Sequence, residues 1–134
     1  MAVEFEISDT IPASAKDIYT AWLDSEGHTR MTGSPAQSSD RVGETFTAWD
    51  GYIYGVNLEL DPGKRILQSW RTSEFPPGAE DSRVEIRFDP VQGGTRITIH
   101  HSHLPQDGLQ YKQGWLEFYF QPMQSYFKSS TRRG

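Results

Sequence analysis

Apolar residues recur at steps of three and four near the C-terminal end of the chain. They lie within residues 109–127, and the recurring positions are Leu116, Tyr119, Phe120, Met123, Tyr126 and Phe127. Trp115 and Phe118 widen the stripe on one side. This spacing predicts an amphipathic helix with one broad apolar face. A helix so rich in aromatic side chains needs a large concave surface to pack against.

The N-terminal part of the chain predicts one strand and two short helices. Apolar and polar residues alternate in the strand, over Val3, Glu4, Phe5, Glu6, Ile7 and Ser8. Ser14 precedes Asp17 by three residues, as in a capping box, and predicts a first helix over 15–23. Asp24 and Ser25 can cap a second, shorter helix that is broken at Gly33.

The middle of the chain predicts a series of hairpins. The expected strands are 45–49, 52–60, 65–72, 83–89 and 95–103. Asp50-Gly51 favours a two-residue turn, because both residues tolerate the positive φ that such a turn requires. One face of the second of these strands is expected to carry Tyr52, Tyr54, Val56, Leu58 and Leu60.

The order of these elements predicts an α+β fold and a single domain over residues 1–134. We expect a curved antiparallel sheet of about six strands, with two short helices after the first strand. The long C-terminal helix would lie across the concave face of the sheet. A gap between this helix and the sheet would form an apolar cavity.

Composition excludes several classes of protein. The chain has no cysteine, so it forms neither a disulfide framework nor a thiolate metal site, and we expect a cytoplasmic location. Neither a signal peptide nor a membrane span is expected, because no long apolar run occurs. The net charge of -5 argues against nucleic acid as a partner. Lys128, Arg132 and Arg133 form a small basic tail that we expect to be solvated.

Three histidines, His100, His101 and His103, are the residues most suggestive of chemistry. Two of them on one strand face could ligate a metal with a third ligand, for which the candidates are His28, Glu44, Asp50, Glu59 and Glu117. Nothing in the sequence brings these together, so no metal and no cofactor are predicted. An inward histidine could act as a base. Motifs of hydrolases, kinases and dehydrogenases are absent, so no catalytic residue is assigned and a non-enzymatic role is favoured.

Residues expected to face the interior are the candidates for a ligand cavity. They are Trp22, Tyr54, Gln68, Trp70, Ile86, His101, His103, Trp115, Tyr119 and Met123. For the strand 52–60, either Tyr52 and Tyr54 or Ile53 and Asn57 can face inward. Aromatic side chains with a few polar groups suit a small apolar ligand. The same side chains can also simply fill the core, and both interpretations stay open.

Pro122 lies inside the predicted C-terminal helix. It has no N–H for the carbonyl of Phe118 and its ring crowds that turn, so we expect a kink. The kink could bend the helix around the sheet or could shape the mouth of the cavity.

Several phrases resemble a known family over nearly the whole chain. They are IPASAKDIYTAWLD at 11–24, VGETFTAWDGYIYGVNLELDPGKRI at 42–66, QSWR at 68–71, GGTRITIHH at 93–101 and GW at 114–115. The chain thereby resembles the family named for the activator of the heat-shock-protein-90 ATPase (AHSA), within the START-like, SRPBCC superfamily. The resemblance implies a helix-grip fold, in which the sheet grips the C-terminal helix.

Three functions follow as hypotheses. The first is binding of a small apolar or aromatic ligand between the sheet and the C-terminal helix. The second, implied by the family name, is a co-chaperone-like module that acts on a heat-shock ATPase, with a role in the stress response. The third is a cofactor-independent enzyme that uses His101 or His103 as a base.

Overall fold

The helices and strands follow the expected order. The computed structural model describes residues 3–105 and 108–132, and side chains as far as 128. The strands are β1 (Val3–Ile11), β2 (Thr45–Ala48), β3 (Ile53–Asp61), β4 (Arg65–Thr72), β5 (Ser82–Val91) and β6 (Gly94–Leu104). The first helices are α1 (Ala15–Leu23) and α2 (Ser25–Thr32). The C-terminal helix consists of α3 (Gln110–Trp115), a π-helical turn (Leu116–Phe120) and α4 (Gln121–Arg132).

All six strands belong to one antiparallel sheet with the order β1-β6-β5-β4-β3-β2. The inward positions of β4, β5 and β6 alternate as the sequence predicts and include Ile66, Gln68, Trp70, Val84, Ile86, Phe88, Ile97, Ile99 and His101. The helices cover this face of the sheet. The predicted α+β architecture, with about six strands and a long C-terminal helix, is therefore confirmed.

Local hydrogen bonds set the bounds of α1 and α2. Ser14 Oγ accepts from the backbone N–H of Asp17 at 3.1 Å, which is the expected cap of α1. Asp24 ends α1, and its carboxylate accepts from the N–H of Gly27 at 2.8 Å to begin α2. The corner is tight, because a Cβ on Gly27 would lie 2.9 Å from the Cα of Ala21.

The basic tail expected from the sequence is described only at Lys128, which is exposed. The side chains of Arg132 and Arg133 lie outside the described part.

The turn between β2 and β3 differs from the prediction. Strand β2 ends at Ala48, and the turn spans 49–52 instead of the two residues Asp50 and Gly51. Trp49 takes a φ of 53° and Asp50 one of 57°, both in the left-handed region. The longer turn directs Ile53 inward and leaves Tyr54 exposed.

A β-bulge in β3, like the longer turn before it, changes which side chains of the strand face inward. Its register against β4 shifts between Asn57 and Glu59. Asn57 faces inward before the bulge, and Leu60, paired with Ile66, follows it. The expected common face from Tyr52 to Leu60 therefore does not form.

The disturbance expected at Pro122 takes the form of a π-helical turn. The N–H of Gln121 donates to the carbonyl of Leu116, five residues earlier. We attribute this wider turn to Pro122, whose ring would crowd the carbonyl of Phe118 in a regular α-helix. Downstream of the proline, Met123 is fully buried, so the helix resumes its contact with the core.

Candidate ligand-binding cleft

A cleft of about 490 Å³ lies between residues 110–119 of the C-terminal helix, the β2–β3 turn and β4. We call these helix residues the N-terminal half of the helix, and 120–132 its C-terminal half. The lining residues are Trp49, Tyr52, Ile53, Trp70, Gln110, Tyr111, Gln113, Gly114, Trp115, Glu117, Phe118 and Tyr119. Seven of these are aromatic. The volume is within the range of small-molecule sites, about 300–1,000 Å³.

The aromatic walls of the cleft pack against one another. The rings of Trp115 and Tyr119 lie 4.7 Å apart, and those of Trp49 and Phe118 lie 5.4 Å apart at 68°. Trp70 contacts Tyr111 at 5.1 Å in an edge-to-face arrangement. Such contacts restrict ring motion, so the walls are held in place before any ligand arrives.

His101 anchors Trp115 from behind the cleft. The indole N–H of Trp115 donates to Nδ1 of His101 at 3.0 Å. The proton of the neutral imidazole is therefore on Nε2, which donates to Ser82 Oγ at 2.8 Å. Ser82 in turn donates to the carbonyl of Trp70 at 2.6 Å. Burial, with a smaller contribution from nearby His100, lowers the pKa of His101 to about 3.

His28 anchors Tyr119 in the same manner. Its Nδ1–H donates to the carbonyl of Trp22 at 2.9 Å, because a carbonyl can only accept. The hydroxyl of Tyr119 then donates to Nε2 of His28 at 2.8 Å. Burial lowers the pKa of His28, although its hydrogen bond to Trp22 opposes this, and burial raises the pKa of Tyr119. Two neutral imidazoles thus hold two walls of the cleft.

Hydroxyl groups on the other lining tyrosines are also engaged. The half-buried Tyr52 donates to the carboxylate of Glu74. Burial, and then this hydrogen bond, raise the pKa of Tyr52 above its ordinary value. The hydroxyls of Tyr111 and Thr72 lie 2.8 Å apart and share one hydrogen bond. The phenol hydroxyls therefore point toward protein partners.

Three of the residues expected in a cavity do line the cleft, namely Trp70, Trp115 and Tyr119. Trp22 stacks on Tyr119 at 5.0 Å but lies behind it. Ile86 and Met123 are buried in the core with no exposed surface.

The polar candidates have other positions. Gln68 donates to Asn57 Oδ1 at 2.9 Å inside the sheet. Tyr54 is exposed on the outer side. His103 takes a φ of 61°, which ends the alternation of β6 and places it at the surface, 3.0 Å from Ser102 Oγ. The three histidines of β6 thus have three different environments, since His100 lies on the outer face, 2.9 Å from Glu4.

Neither His101 nor His103 offers a base to the cleft. A general base needs a free lone pair within hydrogen-bond reach of its substrate. On His101 the lone pair of Nδ1 accepts from Trp115, while His103 is not among the lining residues. Among residues 3–105 and 108–132, no three His, Cys, Asp or Glu side chains cluster as metal ligands would.

The other lining residues were not among the cavity candidates, except that Tyr52 and Ile53 each belonged to one of the two alternatives for the strand 52–60. One signal could have indicated some of the rest. Tyr111, Gly114 and Phe118 recur at steps of three and four, and so form a second stripe beside the main apolar face. Trp49 and Tyr52 reach the cleft only because the turn is longer than two residues.

Within the described residues, no helix is long and apolar enough to cross a membrane.

Comparison with known proteins identifies relatives over most of the chain. The model of the family described as Activator of Hsp90 ATPase homolog 1-like protein matches residues 12–128. The activator of 90 kDa heat shock protein ATPase homolog of Dictyostelium discoideum is 29% identical over 113 residues, or 82% of this chain and 29% of its own length. The human homolog 1 is 24% identical over 127 residues, or 94% of this chain and 37% of its own length. The chain thus spans about a third of these curated relatives.

Solved structures share the fold. The crystal structure of an HSP90 activator from Plasmodium falciparum has a TM-score of 0.83 at 22% identity, and covers 93% of this chain and 96% of that one. The solution structure of an AHSA1-like protein from Aeromonas hydrophila has a TM-score of 0.72 at 16% identity, with coverages of 96% and 94%. These likenesses confirm the helix-grip, START-like architecture.

Proposed function

This chain belongs to the Activator of Hsp90 ATPase homolog 1-like family, and we propose that it is a single domain that binds a small apolar or aromatic molecule in the cleft. One observation carries the proposal: seven aromatic side chains surround about 490 Å³ of open space. A protein interior normally closes to crystal-like density. Open space of this size between apolar walls therefore suits a ligand.

The packing around the cleft also supports this proposal. Trp115 and Tyr119 have their polar atoms bonded to buried histidines, so their rings stay in place. Gln110 and Gln113 contribute neutral side-chain amides to the lining, and these could orient a ligand. Apolar walls with a few polar groups are the usual composition of a small-molecule site.

Native mass spectrometry of the protein purified from its own host tests the proposal directly. We expect an added mass at one equivalent that is lost on denaturation and is recovered in the extract. A bare mass from freshly prepared protein, together with no binding from a host metabolite extract, would contradict ligand binding.

Gly114 allows the cleft to be filled without disturbing the core. A Cβ at this position would meet only Phe118 Cδ2, at 3.8 Å, within the described neighbourhood. Gly114→Leu should therefore abolish ligand binding while the protein stays folded. Ser125→Leu adds the same side chain at an exposed position of the same helix and should bind normally. Undiminished binding by Gly114→Leu would place the ligand elsewhere.

A second candidate function is a co-chaperone-like interaction with a heat-shock ATPase. Leu109, which precedes the C-terminal helix, and Phe118 in its N-terminal half are 57% and 51% exposed, and so offer apolar surface to a partner protein. The names of the relatives point to the 90 kDa heat-shock protein ATPase. This function would be supported if the protein, at micromolar concentration, stimulated the hydrolysis of ATP by such an ATPase. The Phe118→Ser variant should then give less stimulation. No stimulation and no binding at those concentrations would exclude it for this domain.

A further inference from the structure

We propose that the cleft selects organic cations, such as substituted ammonium groups, over neutral or anionic molecules of the same shape. This inference rests on the proposed ligand-binding function and adds the charge of the ligand. The residues that line the cleft include seven aromatic rings and the carboxylate of Glu117. Among the described lining residues there is no cationic side chain.

The aromatic residues offer the ligand ring surfaces more than hydrogen-bond donors. The donors of Trp115 and Tyr119 are bonded to buried histidines. The hydroxyl of Tyr52 is bonded to Glu74, and that of Tyr111 to Thr72. Trp115 and Tyr119 are only 3% and 4% exposed, so the ring surface open to a ligand belongs mainly to the half-buried Trp49, Tyr52 and Tyr111 and to the exposed Phe118. The negative π surface of such rings attracts cations within about 6 Å of the ring centre.

Other donors on the lining are uncharged. They are the side-chain amides of Gln110 and Gln113 and the indoles of Trp49 and Trp70. Part of this capacity is already used, because the amide of Gln113 donates to Glu117 at 3.0 Å. A carboxylate or phosphate ligand prefers charged or bidentate donors. The described lining therefore disfavours an anion.

The charged groups in and beside the lining of the cleft are carboxylates. Glu117 is the one ionisable acid or base, apart from the tyrosines, among the described lining residues. Glu74 adds a second carboxylate beside Tyr52. The net charge of the whole chain is -5, which adds a weaker field of the same sign. The field and the ring surfaces thus favour the same class of ligand.

Three soluble probes of similar shape separate charge from shape. Choline is cationic, 3,3-dimethylbutan-1-ol is its neutral counterpart, and 3,3-dimethylbutanoate is the anionic counterpart. Each is titrated into the full chain, and binding is measured from the indole N–H signals of Trp49, Trp70 and Trp115 in NMR spectra. We expect choline to bind about tenfold more tightly than the alcohol, and the carboxylate to bind most weakly.

Two variants test which groups cause the preference. Trp49→Leu removes one ring surface and should weaken choline binding about fivefold, with little change for the alcohol. Glu117→Gln should weaken choline binding about threefold. Glu6→Gln, on the outer side of β1, removes the same charge from a residue that does not line the cleft and should have no effect.

The outcomes distinguish this inference from the proposed function. Equal binding of choline and the alcohol, or tighter binding of the carboxylate, would overturn the cation preference while keeping the cleft as a ligand site. An equal loss in Glu6→Gln and Glu117→Gln would assign the preference to the general field, and would overturn it as a property of the cleft. No binding of any probe also overturns it, and native mass spectrometry then decides the proposed function separately.

Discussion

The two halves of the C-terminal helix belong to one continuous element and face one sheet, yet only one of them is closed. In the C-terminal half Phe120, Met123 and Phe127 are almost entirely buried. In the N-terminal half Trp115 and Tyr119 are also buried, but Phe118 is 51% exposed and the cleft opens beside it. The difference shows that abundant aromatic side chains do not by themselves close an interior. What the neighbouring elements place opposite the helix decides whether the helix forms a core or a cleft with them.

Local features of the sheet and the helix explain where the opening lies. The C-terminal half is tied to β1, where Gln124 donates to the carboxylate of Asp9 at 2.9 Å. The N-terminal half faces the other edge of the sheet, where β2 has only four residues and ends in the turn at Trp49. On the helix side, Gly114 contributes no side chain. A short edge strand opposite a glycine leaves the space unfilled.

The largest expected effect comes from removing one phenylalanine from each half. Phe120→Ala should lower the free energy of unfolding by about 3–5 kcal/mol, because it leaves a cavity in a fully buried site. Phe118→Ala should lower it by about 1 kcal/mol, mainly through the lost contact with Trp49. Urea denaturation measures both. Similar losses for the two variants would show that the halves are equally packed and would refute the comparison.

Acid should weaken the anchors of the N-terminal half. The pKa of His101 in the folded protein is about 3, below the ordinary value of 6.5, so below pH 6.5 the unfolded chain binds a proton that the native state does not. The stabilisation is therefore complete above pH 6.5 and is lost as the pH falls toward 3. Between pH 7 and pH 5 this residue alone should lower the free energy of unfolding by about 2 kcal/mol.

Variants identify the histidine that is responsible. The slope of the free energy of unfolding against pH gives the number of protons taken up on unfolding, and His101→Gln should reduce this number by about one in this range. His103→Gln, at an exposed position of the same strand, is the matched control for the loss of a histidine. His28, whose pKa burial also lowers, should account for much of the dependence that remains in His101→Gln. Stability that is constant from pH 7 to pH 5 would mean that the imidazoles are not held neutral by the fold.

Sequence alone predicts the elements whose signals are local. The first turn of α1 is set by Ser14 and Asp17, only three residues apart, and the predicted bounds 15–23 are those observed. The inward face of β4 was also predicted, because its apolar residues alternate with polar ones. In β3 both faces carry apolar side chains, so alternation cannot choose between Ile53 and Tyr54.

Prediction of the cleft was harder, because the cleft depends on how elements far apart in sequence are placed against one another. Inward periodicity correctly indicates Trp70 and Trp115 as interior residues, but it indicates Ile86 equally, and Ile86 is core. Trp49 lines the cleft with a φ of 53°, a conformation that no pattern predicts for a bulky residue. His101 was expected to face a ligand, and it instead binds the back of Trp115.

The smallest expected effect is a gain in stability at Gly114. Gly114→Ala should raise the free energy of unfolding by about 0.5–1 kcal/mol, because alanine is the better helix former and its Cβ lies 3.8 Å from the nearest described atom, Phe118 Cδ2. Thermal unfolding measures the gain. Gly55→Ala is the contrasting variant and should be severely destabilised, since its Cβ would lie 1.9 Å from the carbonyl oxygen of Ser69. If Gly114→Ala gains stability and loses ligand affinity, the glycine keeps the cleft open at a cost in stability. A loss of stability would instead mean that the space beside Gly114 is already filled.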